Sequence, residues 1–286
     1  MSRPLQVAIP KGRMYDGISK LFEDAGSPIQ LSSRSYRAQL PISNVTCKVL
    51  KPQSIVEMLN AGRRDIGFAG ADWIAELRAD VIELLDTELN PVKIVAAAPR
   101  DLLIDGQLPR QPLVIASEYK ELTTAWMNAK NIQGTFVRSW GATEVLPPED
   151  ADCIVDNTAT GSTLAANRLD IVDTLMHSST RLVASRHAMD TPALRDQIES
   201  LVLVLRSVLE ARKRVMVELN VAAVNLEAVI SIIPSMKNPT VSPLRGSDGV
   251  AVKSAVPRAK LFELIPKLKA VGATDLVVSK IDQIVS

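Results

Sequence analysis

Between positions 152 and 164 the chain sets two acids around a short apolar run and follows them with hydroxyls and a glycine. Cys153, Ile154 and Val155 lie between Asp152 and Asp156. Thr158, Ala159, Thr160, Gly161, Ser162 and Thr163 come next, and a helix-like segment continues through Arg168. This order reads as a buried strand, a small-residue loop and a helix N-terminus. Such a loop offers unpaired backbone N–H groups, hydroxyl donors and the positive end of a helix dipole, which together suit a phosphate. Asp156, at the strand end, is placed to hold a ribose hydroxyl or a bound cation. Asp152, at the strand start, is expected on a solvated edge. The same residues also describe an ordinary strand–turn–helix capped by Thr or Ser, because hydroxyl-rich helix starts are common.

Two other stretches carry chemistry at strand ends. Lys11, Gly12 and Arg13 follow the alternating strand of Leu5, Val7 and Ile9. They form either an anion clamp at the edge where open α/β sheets bind ligands or a solvated turn. The run from Asp65 to Asp72 places Gly67 and Gly70 where backbone can approach closely. That run is either a ligand wall or a tight packing site.

Composition removes several classes. Lys+Arg at 33 against Asp+Glu at 32 gives a net charge of +1, with no run of like charge. Neither nucleic acid nor a membrane surface is expected as a partner. Aromatics at 3% argue against base-stacking platforms. Cys47, Cys153, His177 and His187 are the only cysteines and histidines, which excludes a Cys/His zinc site and a disulfide scaffold. No Walker A glycine loop and no Gly-x-Ser-x-Gly elbow is present. The first residues carry no signal-peptide pattern and no stretch has the length of a membrane span, so a cytoplasmic protein is expected.

The elements that must hold these residues alternate. Strands are expected at 45–50, 65–72, 92–98, 112–116, 135–138, 170–175 and 181–184. Helices are expected at 14–25, from Pro52 to Gly62, and at 119–129. That alternation predicts α/β lobes with parallel or mixed sheets. The expected division is residues 1–92 with 179–211 as one lobe and 93–178 as a second, with a cleft between them. A long amphipathic helix at 191–214 carries Leu194, Ile198, Leu201, Leu205 and Leu209. Residues 212–286 then read β-α-β-β-α-β, a ferredoxin-like unit whose second helix is expected to open at Pro257.

The ordered segments are Val7-Ala8-Ile9-Pro10-Lys11-Gly12-Arg13, Asp65 through Asp72, Ala151 through Asp156 with Thr160-Gly161-Ser162-Thr163-Leu164, and Pro239 through Leu244. As a set they resemble the long form of the ATP phosphoribosyltransferase family. The resemblance implies two periplasmic-binding-protein-like lobes with a cleft and a C-terminal ferredoxin-like regulatory domain. It implies condensation of ATP with 5-phosphoribosyl 1-pyrophosphate (PRPP), with magnesium, as the first step of histidine biosynthesis. It implies histidine as feedback inhibitor and a homo-oligomer of dimers forming hexamers. By that resemblance Thr158, Ala159, Thr160, Gly161, Ser162 and Thr163 cradle the ribose 5′-phosphate, and Asp156 with Glu144 holds the ribose hydroxyls. Lys11, Gly12, Arg13, Lys51, Gly70 and Asp72 are implied at the ATP and pyrophosphate site. Thr240 and Asn220 are implied at the histidine site, Asn220 standing where some members carry aspartate. Trp140 replaces an acid of the family's pattern ahead of Glu144. No side-chain nucleophile or strong base is implied, and the magnesium ligands are not specified.

Two rivals fit the architecture. One is a two-lobed small-molecule receptor with a regulatory tail, which would not need the hydroxyl loop. The other is a phosphoribosyltransferase for a free base, which typically has two adjacent acids before the loop. Here Asn157 follows Asp156.

Overall fold

The strand Leu5–Pro10 lies at the centre of the first sheet because its residues are apolar on both faces. Leu5, Val7, Ala8 and Ile9 are all buried, as expected for a parallel strand covered by helices on both sides. The computed structural model describes residues 3–31 and 36–285. They divide into a unit of residues 1–20 with 27–199 and a unit of 21–26 with 200–286.

In the first unit one sheet orders its strands Arg37–Ala38, Val45–Leu50, Leu5–Pro10, Ile66–Gly70, Thr180–Ser185 and Val81–Asp86. Leu5–Pro10 is parallel to both Val45–Leu50 and Ile66–Gly70. Lys11, Lys51 and Ala71 therefore leave the sheet side by side at one edge. A second sheet orders Leu169–Ser178, Val92–Pro99, Cys153–Thr158, Leu113–Ser117 and Gly134–Arg138. Its last three strands are mutually parallel. Their C-terminal ends bring the loop after Asp156, the Glu118–Tyr119 pair and the segment leading to Glu144 to one edge.

The chain passes from the first sheet to the second after Asp86 and returns after Ser178. The two crossings are bonded together. The N–H and hydroxyl of Thr87 both donate to the Thr180 carbonyl, at 3.1 and 2.7 Å, and the Thr180 N–H donates to Leu89 O at 2.9 Å. Paired crossings of this kind are the usual hinge of a two-lobed cleft protein.

The strand Val81–Asp86 was not expected. Its sequence, Val-Ile-Glu-Leu-Leu-Asp, lacks period-two alternation. It is defined by pairing with Thr180–Ser185 across about a hundred residues of chain. Two glycines are set by packing. A Cβ on Gly67 would stand 2.6 Å from Ile55 Cγ2. A Cβ on Gly134 would stand 2.1 Å from the Leu113 carbonyl oxygen, a backbone atom that cannot turn aside. Gly134→Ala is thus expected to destabilise the first unit by about 3 kcal/mol, read as a lower denaturant midpoint. An unchanged midpoint would contradict this packing.

The second unit contains the sheet Thr240–Pro243, Gly249–Pro257, Arg214–Ala222 and Thr274–Lys280, with every neighbouring pair antiparallel. With the helices Leu226–Ile232 and Leu261–Ala270 this is the ferredoxin-like order. Val215, Val217, Leu219 and Val221 alternate into a core with Val229, Leu264 and Leu268. Pro257 ends a strand instead of opening a helix. A short 3-10 turn, Arg258–Lys260, intervenes before the helix begins at Leu261.

Candidate active site

The strand Cys153–Thr158 ends in a shaped loop. Cys153, Ile154 and Val155 are fully buried and fix the strand, while the loop residues from Ala159 emerge into solvent. Gly161 adopts φ +80°, a left-handed conformation that favours glycine. Its N–H donates to Thr158 Oγ1 at 2.9 Å, and the Thr160 and Ser162 hydroxyls lie 2.9 Å apart. The first bond of the helix Ser162–Ala166 runs from Ala165 N–H to Gly161 O. The N–H groups of Thr163 and Leu164 precede that bond and head the helix. The loop thus brings Thr158, Ala159, Thr160, Gly161, Ser162 and Thr163 into one turn.

Asp156 lies beside a group of like charges. Burial foremost, with Glu144 and Glu118, raises its pKa from 3.8 to about 6, against the lowering pull of the Asn157 N–H and the Thr143 hydroxyl. The Asn157 N–H is 2.6 Å from Asp156 Oδ1. Glu144 sits in the 3-10 turn Thr143–Val145, behind Ala142 in a left-handed conformation (φ 47°). Asp152 is not simply solvated: its Oδ2 accepts the Val114 N–H at 2.7 Å and ties two strand starts together. Trp140 is 88% exposed, with its ring 5.6 Å from the Arg138 guanidinium carbon.

The first lobe faces this edge with cations. Lys11, Arg13, Gly70 and Asp72 line a cavity of about 210 Å³ with Tyr119 and Asn157 of the second lobe. Gly12 turns the chain at φ +76° with open space around it, so Arg13 can start its helix. The Arg13 guanidinium (Nη2) reaches Asn157 Oδ1 at 3.4 Å. Lys51 lines a neighbouring cavity of about 530 Å³ with Lys11, Tyr36, Arg37 and Lys48. Lys11 belongs to both, so the two cavities share a basic wall. Tyr36, Arg37 and Lys48 carried no sequence signal: Arg37 and Lys48 meet only through the pairing of the two-residue strand Arg37–Ala38 with Val45–Leu50.

Asp72 is only 5% exposed, and both of its oxygens are used internally. Oδ1 accepts Ser178 Oγ at 2.6 Å, and Oδ2 accepts the Tyr119 hydroxyl at 2.7 Å. Gly70 lets this carboxylate tuck in, since a Cβ there would stand 2.1 Å from Asp72 Oδ1. Burial, then the Asp72 charge, pushes the Tyr119 phenol well above its ordinary pKa, so it stays a donor. The Trp73 and Tyr119 rings are 4.8 Å apart, and the Glu76 carboxylate accepts the N–H groups of Glu121 and Leu122. The short helix Ala71–Glu76 follows the first sheet in sequence yet is bonded to the second lobe. Asp72 therefore holds the lobes together at the cavity wall, and its oxygens are already engaged there.

In the second unit, Asn220 and Thr240 lie on the same face of the four-stranded sheet, one strand apart. Asn220 Nδ2 donates to Asp275 Oδ2 at 3.0 Å. Thr240 is exposed on the edge strand and pairs with Lys253, which bonds Glu218 at 2.8 Å. Asp275, in a left-handed conformation (φ 47°), had no sequence signal.

Comparison with known proteins adds to this geometry. Residues 51–207 match the family described as HisG, ATP phosphoribosyltransferase, and residues 211–283 match HisG, C-terminal domain. A relative from Chlorobium phaeovibrioides, named ATP phosphoribosyltransferase, is 34% identical across 99% of this chain and 98% of its own. One of the same name from Trichlorobacter lovleyi is 35% identical across 100% of both. Among solved structures, the ATP phosphoribosyl transferase (HisG:HisZ) complex from Thermotoga maritima superposes with a TM-score of 0.64 at 26% identity, over 72% of this chain and 98% of that one. With both family domains in one polypeptide, the chain belongs to the ATP phosphoribosyltransferase family, in its long form.

Proposed function

We propose that the cleft joins ATP to PRPP, giving N1-(5-phosphoribosyl)-ATP and pyrophosphate, as the first step of histidine biosynthesis. The observation that carries this reading is the hydroxyl loop that follows Asp156 and Asn157, with Asn157 meeting Arg13 and lining one cavity with Lys11. The loop suits the 5′-phosphate, Asp156 and Glu144 suit the ribose hydroxyls, and the basic wall with Lys51 suits the pyrophosphate and the ATP phosphates. The adenine N1 lone pair forms the new bond to the anomeric carbon as the bond to pyrophosphate breaks. N1 needs no base to attack. The protein's task is to align two phosphorylated molecules and to stabilise the charge that develops. The acids face the positive charge growing on ribose and adenine, and the lysines and arginine face the negative charge leaving with pyrophosphate.

Among the described residues no group of three or more His, Cys, Asp or Glu side chains is placed to hold a metal ion. Magnesium usually takes one or two carboxylates plus substrate phosphates and water. The donor set fits that mode, with Asp156 or Glu144 as the protein ligand. Bound with the pyrophosphate, the ion neutralises charge on the leaving group. The test is an absorbance assay of the purified chain with ATP, PRPP, magnesium and pyrophosphatase. Formation of the adduct supports the reading, and its absence from folded protein sinks it.

Histidine is proposed as feedback inhibitor at the Asn220 and Thr240 face. An amide in place of aspartate loses a charge–charge contribution of about 1 kcal/mol, and Asp275, 3.0 Å from that amide, is placed to restore it. Rates are expected to fall as histidine rises to millimolar levels and to fall less in Asp275→Asn. A rate that stays flat in the wild type would exclude histidine as the effector. Assembly into dimers and hexamers, and a cytoplasmic location, complete the proposal. Among the described residues no helix is long and apolar enough to cross a membrane.

A further inference from the structure

One side chain in the cleft connects groups that the reaction must hold apart by a fixed distance. Asn157 Oδ1 accepts from Arg13 of the first lobe at 3.4 Å. Its Nδ2 donates to Asp156 Oδ1 at 3.2 Å and to the Tyr119 hydroxyl at 3.3 Å. Tyr119 in turn donates to Asp72, so the row crosses between the lobes twice. The amide orientation follows from chemistry: a guanidinium has only donors, so it faces the oxygen, and a carboxylate has only acceptors, so it faces the NH2. A carboxamide gives two donors and an acceptor from one short stem. Aspartate would lose both donors, and alanine all three contacts.

We propose that Asn157 is a positioning residue for phosphoribosyl transfer, locking the Arg13 guanidinium of one lobe to the Asp156 carboxylate of the other. The separation of leaving-group clamp and ribose acid is then set by one amide. The side-chain bonds, at 3.2–3.4 Å, are longer than the usual value of about 2.9 Å. Catalytic contacts of this kind tighten when substrate closes the site. The inference rests on the PRPP reading above.

The experiment is a double-mutant cycle on the full chain with Arg13→Ala, Asn157→Ala and the pair, plus Asn157→Asp. It reads kcat and KM for PRPP, and PRPP affinity by calorimetry without ATP. Asn157→Ala is expected to lower kcat/KM for PRPP about tenfold. The pair is expected to be no worse than the slower single variant within about a factor of two, because coupled residues do not add. Losses that multiply, or wild-type PRPP kinetics in Asn157→Asp, which keeps the acceptor for Arg13 but neither donor, overturn the proposal even if the thermal midpoint falls. A wild type that binds PRPP but forms no adduct sinks the reaction above, and the affinity cycle still decides Asn157. A wild type that does not bind PRPP overturns both.

Discussion

Asp156→Asn is expected to lower kcat/KM for PRPP by about 10²–10³-fold, because two charge-assisted hydrogen bonds to the ribose hydroxyls, about 1.5–3 kcal/mol each, become weaker neutral ones. The same substitution is expected to raise the thermal midpoint at pH 7.5. The sign follows from the pKa. Burial, with Glu144 and Glu118, raises the Asp156 carboxyl from 3.8 to about 6 in the folded protein. The stability linked to its protonated form is therefore fully present below pH 3.8 and is lost as pH rises through about 6. Asparagine stays neutral and keeps that stability, so its advantage should shrink as pH is lowered through 6. The wild-type kcat/KM for PRPP should fall on the acid side near the same pH. An Asp156→Asn variant with unchanged PRPP kinetics would mean that the loop is structural only. A variant that loses stability at pH 7.5 would mean that the carboxylate is needed by the fold.

Asp72→Ala should lower the first unit's stability about as much as Gly134→Ala. The Asp72 carboxylate accepts the Ser178 and Tyr119 hydroxyls at 2.6 and 2.7 Å in a site that is 5% exposed. Removing it strands two donors, one buried in each partner element, and opens a void beside Gly70. A loss of about 3 kcal/mol is expected, each unsatisfied buried group contributing about 1–3 kcal/mol. Tyr119→Phe is the sharper companion. It keeps the ring against Trp73 but leaves the buried carboxylate short of one donor and Asn157 short of one acceptor. It should lower the midpoint less than Asp72→Ala while still reducing kcat, because the lobes would close without the tie that sets their spacing. Denaturant unfolding and steady-state kinetics on both variants decide this. Wild-type midpoints in both would show that the tie is not stabilising.

These expectations depend on residues of unequal legibility. The loop after Asp156 is contiguous, so the order acid, hydroxyls, glycine, hydroxyls is visible as text. The ferredoxin-like unit was equally readable, since Val215, Val217, Leu219 and Val221 alternate without interruption. Both features depend on neighbours in sequence. The strand Val81–Asp86 did not show itself, because its partner Thr180–Ser185 enters only when the chain has built and left a second sheet. Tyr119 and Ser178 were equally silent. Nothing near them in sequence indicates a carboxylate at position 72, and only the paired crossings bring the three together. Asn157 was visible as the residue following Asp156, yet its link to Arg13 spans the cleft. Gly70 and Asp72 were legible as a close-approach motif, with both ligand wall and packing as readings. They line the cavity, and both oxygens of Asp72 are committed to the tie between lobes.

The central claim is that one cleft holds both substrates and that bond breaking in PRPP waits for ATP. The most direct measurement is enzymatic detection of pyrophosphate released from PRPP by the wild-type chain with magnesium, with and without ATP. The expected result is release that requires ATP and matches adduct formation mole for mole. Release at the same rate without ATP, or none with both substrates present, would contradict it.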